Sequence, residues 1–340
     1  MMTLQGLTFD TSHGEFLRLR DYIRERSDVV LPDSRLPLIR DWLVNRMAEL
    51  GLDDMEEYYY QVKYDESDCE FHRFLALLTA GGGGFFRRDP QLTCFADELL
   101  PHLIRQREGQ PGKKKLRIWS AGCSTGEEPY TLAMLAQEKL AKETDWTVEV
   151  LASDLSRSAI TTGSEGVYLV RELTEVSRER CERFFDIKGE WAAVKPEITA
   201  MVRFFQMNLN RPDELAGVKN VDVVFCRNVL SYFPEAIRRE VARGFYDSFE
   251  PGGYLFIGHT ETLHGVSKAY RLVYFKNALV YQKDGLPGDN RANSLLRASS
   301  GLVESGSSRF MVGAADGANA VLELLSLVAV DGKGSTGKSA

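Results

Sequence analysis

The chain is short of the residues that build disulfide frames and metal centres. Its 340 residues hold five cysteines and five histidines. Cys69, Cys94, Cys123, Cys181 and Cys226 are scattered, odd in number and without a C-x-x-C pair. That argues against a disulfide scaffold or a zinc ribbon and fits reduced thiols. The histidines show no metal-ligand spacing, so no metal site is expected. Long apolar runs are also missing: no stretch of ~18 apolar residues exists, and no membrane span is expected. The opening MMTLQGLTFDTSHGEF lacks the basic start and apolar stretch of a signal peptide, which points to the cytoplasm. Positive charge is not in excess. Lys and Arg number 42 against 49 Asp and Glu, for a net charge of −7 and a pI near 5.5, which argues against nucleic acid as a partner. There is no internal repeat. What remains, 44% hydrophobic residues, is enough to bury the core of one large domain or two ordinary ones.

The most informative stretch is 116–130, LRIWSAGCSTGEEPY. It reads as a short apolar strand, a Gly-bearing turn and a helix opened by two glutamates. Such a turn leaves free backbone N–H groups at the helix start. Gly122 and Gly126 carry no Cβ and so let a ligand approach the backbone. Glu127 and Glu128 sit in the first helical turn, where the macrodipole favours anions. They would repel a pyrophosphate and suit a cationic or hydroxyl-rich ligand. A second strand, 148–153, ends in Asp154, placed to hydrogen-bond a ribose diol. Together these residues read as a nucleoside site not built for phosphate. Plainer roles stand beside this reading: Asp154 as a helix N-cap, Glu128 as a dipole-favoured residue, Arg227 and Asn228 as a strand-end cap, and Tyr232 as a core aromatic.

Residues 14–80 carry helical periodicity in several segments, notably 36–50, closed by Gly51, and predict a small all-helical domain. Residues 81–115 form a linker and a connecting helix. Gly81 to Gly84 read as a hinge, Phe85 and Phe86 are expected to pack against something, and 92–108 reads as one helix. From 116 to 283 the pattern is α/β, with strands at 116–120, 148–153, 202–206, 221–226 and 254–258. A terminal hairpin is expected at 272–275 and 278–282. Residues 184–203 look like a small inserted element. From 284 to 340, Gly, Ser, Ala and Asn dominate, and disorder is expected, with one apolar piece at 318–330.

The element order, the acid after the second strand and the closing hairpin resemble a class I S-adenosylmethionine-dependent methyltransferase. IWSAGCSTGEEPY, ASDLS, FCRNVLSYF and GGYLFIGHTETL are similar, more narrowly, to the chemotaxis-receptor glutamate methyltransferases of the CheR type. The resemblance covers residues 14–283, and several motifs in order are far more specific than a lone Gly turn. It implies a Rossmann-like sheet with a terminal antiparallel hairpin, a small N-terminal helical domain and a small inserted β-subdomain. It also implies a role for each matching position. Arg87 would contact the cofactor near the transferred methyl group, and Tyr232 would sit beside the reacting centre. Glu128 and Asp154 would hold the methionine and nucleoside portions, Asp154 the ribose. Asn208 and Leu209 would line the adenosine side, and Arg227 and Asn228 would complete a pocket that starts at Gly122. The cofactor would be S-adenosyl-L-methionine, with S-adenosyl-L-homocysteine as product. The partner would be the cytoplasmic coiled coil of a methyl-accepting receptor, approached by a monomer without membrane insertion. In the family a basic helix faces that receptor; here the helix carries Arg35, Arg40 and Arg46 but also Asp33, Asp41 and Glu49.

The sequence departs from the family pattern in one loop. Gly81 and Gly83 stand where the family has Asn or a similar residue and Thr, both cofactor ligands. Two lost neutral hydrogen bonds cost about 0.5–1.5 kcal/mol each. Arg88 also intervenes between Arg87 and the acid Asp89. The implied reaction needs no general base, because a glutamate with a pKa near ~4.3 is ionised at neutral pH. Cys123 and Cys226 read as small buried residues, His259 as structural and His264 as a surface residue. Two other functions stay open. One is a catalytically weakened module that docks a receptor or senses a nucleoside. The other is a nucleotide-dependent oxidoreductase, disfavoured by the Gly-x-x-x-Gly turn, the two glutamates and the terminal hairpin.

Overall fold

The computed structural model describes residues 14–27, 29–30, 36–65, 70–71, 73–74, 84–87, 89–108, 114–141 and 145–284. The expectations for Asp33, Arg35, Gly81, Gly83, Arg88 and the tail after Asp284 fall outside these residues.

Ahead of the sheet lie α1 (Gly14–Ser27), α2 (Leu36–Leu50) and α3 (Met55–Tyr64). Each buries one stripe at helical spacing. Phe16, Leu19 and Ile23 come from α1, Ile39, Leu43 and Met47 from α2, and Met55, Tyr58 and Val62 from α3. Asp54 starts α3 by accepting the Glu57 N–H at 2.8 Å, one of the donors a helix start leaves open. These stripes form a core that also takes in Tyr232 and, at its edge, Leu155. The Val30 N–H donates to the Tyr232 carbonyl at 2.8 Å. The helical layer therefore rests against segments that follow two strands of the sheet.

The connecting helix begins with Asp89 as cap and Pro90 in its first turn, where a missing N–H costs nothing. Instead of the one helix expected over 92–108, α4 (Pro90–Cys94) widens into a π turn, Phe95–Leu99, before α5 (Leu100–Arg107). The Leu100 N–H reaches back to the Phe95 carbonyl, just before Pro101, which has no N–H to offer. Phe85 and Phe86, ahead of this helix, are buried as expected. Phe85 packs edge-on against Tyr168 and Phe185.

The α/β region runs β1 (Lys114–Ala121), α6 (Glu127–Leu140), β2 (Trp146–Asp154), α7 (Arg157–Glu165), β3 (Val167–Leu169), α8 (Arg178–Phe184), β4 (Phe185–Lys188), β5 (Trp191–Val194), α9 (Pro196–Thr199), β6 (Val202–Gln206), α10 (Pro212–Ala216), β7 (Val221–Cys226), α11 (Glu235–Ser248), β8 (Phe249–Ile257), β9 (Tyr270–Tyr274) and β10 (Leu279–Lys283). The main sheet has the order β6-β2-β1-β7-β8-β10-β9. Its first five strands are parallel, and β10 enters antiparallel between β8 and β9. The strand VDVVFC is buried along its whole length, as a strand covered on both faces must be. Its one acid, Asp222, accepts the Arg117 N–H at 2.8 Å and pairs with Arg107.

A second, three-stranded sheet of order β3-β5-β4 is inserted between β2 and β6. Within the element expected over 184–203, β4 and β5 form an antiparallel hairpin, and the sheet draws in β3 from further upstream. Three residues are too short a run to show alternation, so β3 carries no strand signal of its own. Among the described residues, no helix is long and apolar enough to cross a membrane, and no group of three or more His, Cys, Asp or Glu could hold a metal.

Candidate active site

The chain passes from β1 to β2 on one side of the sheet and later places β7 on the other side of β1. The carboxyl ends of β1 and β7 thus mark the switch point at which α/β sheets bind ligands. Beyond β1, Gly122 turns with φ +80, and its N–H donates to the Ser153 carbonyl at 2.7 Å. A Cβ there would lie 2.4 Å from Val229 Cγ2, so only glycine fits. Gly126, with φ +101, opens α6, and the side on which a Cβ would stand is packed. A Cβ on it would meet Tyr168 Oη at 2.9 Å, and Gly163 Cα and Phe204 Cζ at 3.0 Å. Gly126 is a packing glycine.

Two cavities share Gly122. The first, of about 200 Å³, is lined by Arg87, Asp89, Glu127, Glu128, Arg227, Asn228 and His259, among others. A chain of charged groups runs through its wall. Ser120 Oγ donates to Glu128 Oε1 at 2.6 Å, Arg227 Nε donates to Glu128 Oε2 at 2.6 Å, and Arg227 Nη1 pairs with Asp89. Asp89 Oδ1 lies 3.3 Å from His259 Nε2. Burial opposes the charge on Arg227, but Glu128 and Asp89 outweigh it and hold its pKa above the ordinary value. Glu127 is buried, which raises its pKa, with the Thr125 hydroxyl working the other way. Arg87 is exposed.

The second cavity, of about 40 Å³, is lined by Val29, Asp154, Leu155, Met207, Asn208, Leu209, Val229, Tyr232 and Phe233 around the same Gly122. Asp154 accepts the Ser124 N–H and the Ser156 N–H, each at 2.9 Å. It ties the turn after β1 to the start of α7. The cap of α7 itself is Ser156, which accepts the Ala159 N–H at 3.2 Å. Asn208 Oδ1 accepts the Asn210 N–H at 2.9 Å. A larger groove, of about 480 Å³, lies beyond Leu155, Met207 and Asn208, with Arg117 and Arg203 in its wall. Apart from Asn208, it touches no residue singled out in the sequence.

The structure therefore gathers the singled-out residues around Gly122, in two groups. Arg87, Glu128, Arg227 and Asn228 border the first cavity, and Asp154, Asn208, Leu209 and Tyr232 the second. Tyr232 and Arg87 border different cavities. Sequence reasoning missed Asp89, Ser120, Val29 and Glu261. The last accepts three backbone N–H groups beside Asn228. It also treated His259 as structural only, whereas His259 stands at the rim of the first cavity, its side chain 60% exposed. Asp89 lies two residues past Arg87 and Glu261 lies inside GGYLFIGHTETL, so each stands in or beside a stretch already singled out. Nothing in the sequence pairs them with their partners.

Comparison with known proteins bears on the whole described region. The family model for the all-alpha domain of CheR methyltransferases matches residues 14–79, and that for the SAM-binding domain of CheR methyltransferases matches residues 82–279. The chain is 31% identical over 277 residues to chemotaxis protein methyltransferase 1 of Pseudomonas aeruginosa, covering 80% of this chain and 98% of that one. It is 28% identical over 270 residues to chemotaxis protein methyltransferase 2 of Vibrio cholerae, covering 79% and 92%. It is 30% identical over 271 residues to the chemotaxis protein methyltransferase of Escherichia coli, covering 77% and 88%.

Proposed function

The chain belongs to the CheR methyltransferase family, and from that membership we propose that it methylates glutamate side-chain carboxylates of a methyl-accepting chemotaxis receptor. The products are a glutamate methyl ester and S-adenosylhomocysteine. The observation that carries this reading is the charge of the first cavity. Three carboxylates, Asp89, Glu127 and Glu128, line it against two guanidiniums, Arg87 and Arg227. Such a wall opposes a pyrophosphate and suits a ligand that bears an ammonium and a sulfonium beside a single carboxylate.

When bound, S-adenosylmethionine supplies a methyl group on a positively charged sulfur, which a carboxylate oxygen attacks as the carbon–sulfur bond breaks and its electron pair returns to sulfur. The chain's own residues bind and orient. Arg227 fixes the direction of Glu128, leaving Glu127 as the carboxylate closest to free for an ammonium. Asp154 borders the second cavity at the end of β2, where an acid meets the hydroxyls of a ribose. Asn208 and Leu209 border the cavity that would take the adenosine. Arg87, which makes no ion pair among the described residues, steers the incoming carboxylate, and Tyr232 orients it from the other side of Gly122. Opposite charges cancel on the way to the transition state, so alignment and exclusion of water supply the acceleration. No proton transfer is required of any residue.

The test is transfer of a labelled methyl group to a receptor cytoplasmic domain. Label that appears on the receptor and is released as methanol by mild base supports the reading. A receptor that stays unlabelled, or whose label resists base, contradicts it. An Arg87→Ala chain that binds cofactor normally and methylates at full rate would remove Arg87 from the chemistry.

A further inference from the structure

Glu261 lines neither cavity, yet its carboxylate gathers three backbone donors. Oε2 accepts from the Gly258 N–H at 2.7 Å and the Asn228 N–H at 2.9 Å. Oε1 accepts from the Ser231 N–H at 2.9 Å. Gly258 and Asn228 lie just past the ends of β8 and β7, which pair up to Cys226 opposite Ile257. Ser231 lies in the single 3-10 turn Leu230–Tyr232. Past the end of a ladder, backbone N–H groups need new partners, and a charged acceptor binds them more strongly than a neutral one.

The approach is close. A Cβ on Gly258 would lie 2.3 Å from Asn228 Oδ1 and 2.8 Å from Glu261 Oε2. Asn228 is held in the left-handed region, φ 59, which a residue other than glycine keeps only when its surroundings impose it. The turn is closed from the other side by the Glu261 N–H donating to the Gly258 carbonyl at 2.9 Å. The segment so fixed supplies Arg227 and Asn228 to the first cavity and Tyr232 to the second.

We propose that Glu261 is a positioning residue for cofactor binding and methyl transfer, holding the 227–232 segment against the end of β8 so that both cavities keep their shape together. This rests on reading the two cavities as the S-adenosylmethionine site. Glu261→Gln replaces one acceptor oxygen with an amide donor facing an N–H. On a chain shown by circular dichroism to be folded, calorimetry is expected to find S-adenosylhomocysteine bound on the order of ten-fold more weakly. The kcat for receptor methylation at saturating cofactor falls as well. Glu261→Asp, which keeps the charge on a shorter arm, falls between. A Glu261 with a merely structural role would lower the melting temperature but leave Kd and kcat of the folded chain within about two-fold of wild type, and that result overturns the proposal. If both variants fail to fold, hydrogen exchange on the unaltered chain decides. Added S-adenosylhomocysteine should slow exchange over 227–232 and 258–261 together, and protection of only one segment contradicts the coupling. Failure of the unaltered chain to bind S-adenosylhomocysteine removes the reading of the cavities themselves.

Discussion

The two cavities that meet at Gly122 are built by opposite means. The first is walled by ions that satisfy one another: Arg227 between Glu128 and Asp89, with Ser120 and His259 at the two ends. The second is walled mainly by apolar side chains, with Asp154 as its one carboxylate. Their origins differ as well. The first draws on the α/β strands and the strap before α4, whereas the second takes Val29 from the helical layer. Ionic walls fix orientation, and losing one partner strands a buried charge. Apolar walls contribute burial, and their loss is graded by the methylenes removed.

The largest effect should come from the ionic side. Arg227→Ala leaves Asp89 and Glu128 facing each other without a cation, and chemical denaturation should show a loss of about 3–5 kcal/mol. A loss below about 1 kcal/mol would mean that water screens the network as it does a surface pair. Next is the shared wall. Gly122→Ala should cost about 1–3 kcal/mol through its φ of +80 and its contact with Val229. Adding Val229→Ala should recover the contact part but not the backbone part. No recovery would show that the contact is not what demands glycine.

On the apolar side, Val29→Ala should cost about 1–2 kcal/mol and weaken S-adenosylmethionine and S-adenosylhomocysteine alike. Glu127→Gln should also weaken both ligands, because each carries the ammonium assigned to Glu127, and by more than the apolar truncation does. A Glu127→Gln chain that binds both ligands as tightly as wild type in calorimetry would remove Glu127 from the ammonium site. The smallest effect concerns pH. Burial raises the Glu127 pKa in the folded chain, so the folded state keeps its proton to higher pH than the unfolded state. Stability therefore falls as pH rises through the interval between the two pKa values. Glu127→Gln should flatten that part of a melting-temperature profile, and an unchanged slope would assign the titration to another group.

Much of this organisation is legible in the sequence, but unevenly. VDVVFC shows itself as a strand buried on both faces because it is a short, nearly unbroken apolar run between polar ends. Asp154 shows itself because an acid closes the second apolar run. The ionic wall is only half legible. Glu128 and Arg227 stand in recognisable motifs, but Asp89 is 138 residues from Arg227 in the chain, and nothing local announces that pairing. Glu261 is hidden in the same way, since two of its three partners are backbone N–H groups 30 and 33 residues away. The π turn at Phe95–Leu99 leaves the apolar spacing intact and so escapes a reading by periodicity. Tyr232 is visible as part of FCRNVLSYF. Its place beside the second cavity depends on the 3-10 turn and on the helical layer that packs over it.

The reading of the two cavities as one cofactor site is tested most directly by calorimetric titration of the full chain with S-adenosylmethionine and S-adenosylhomocysteine. One-to-one binding in the micromolar range, about −8 kcal/mol, is expected for each, with glycine tolerated at positions 81 and 83. No heat of binding for either ligand up to about 1 mM, some −4 kcal/mol, would contradict it and leave a methyltransferase fold that docks a receptor without turning over.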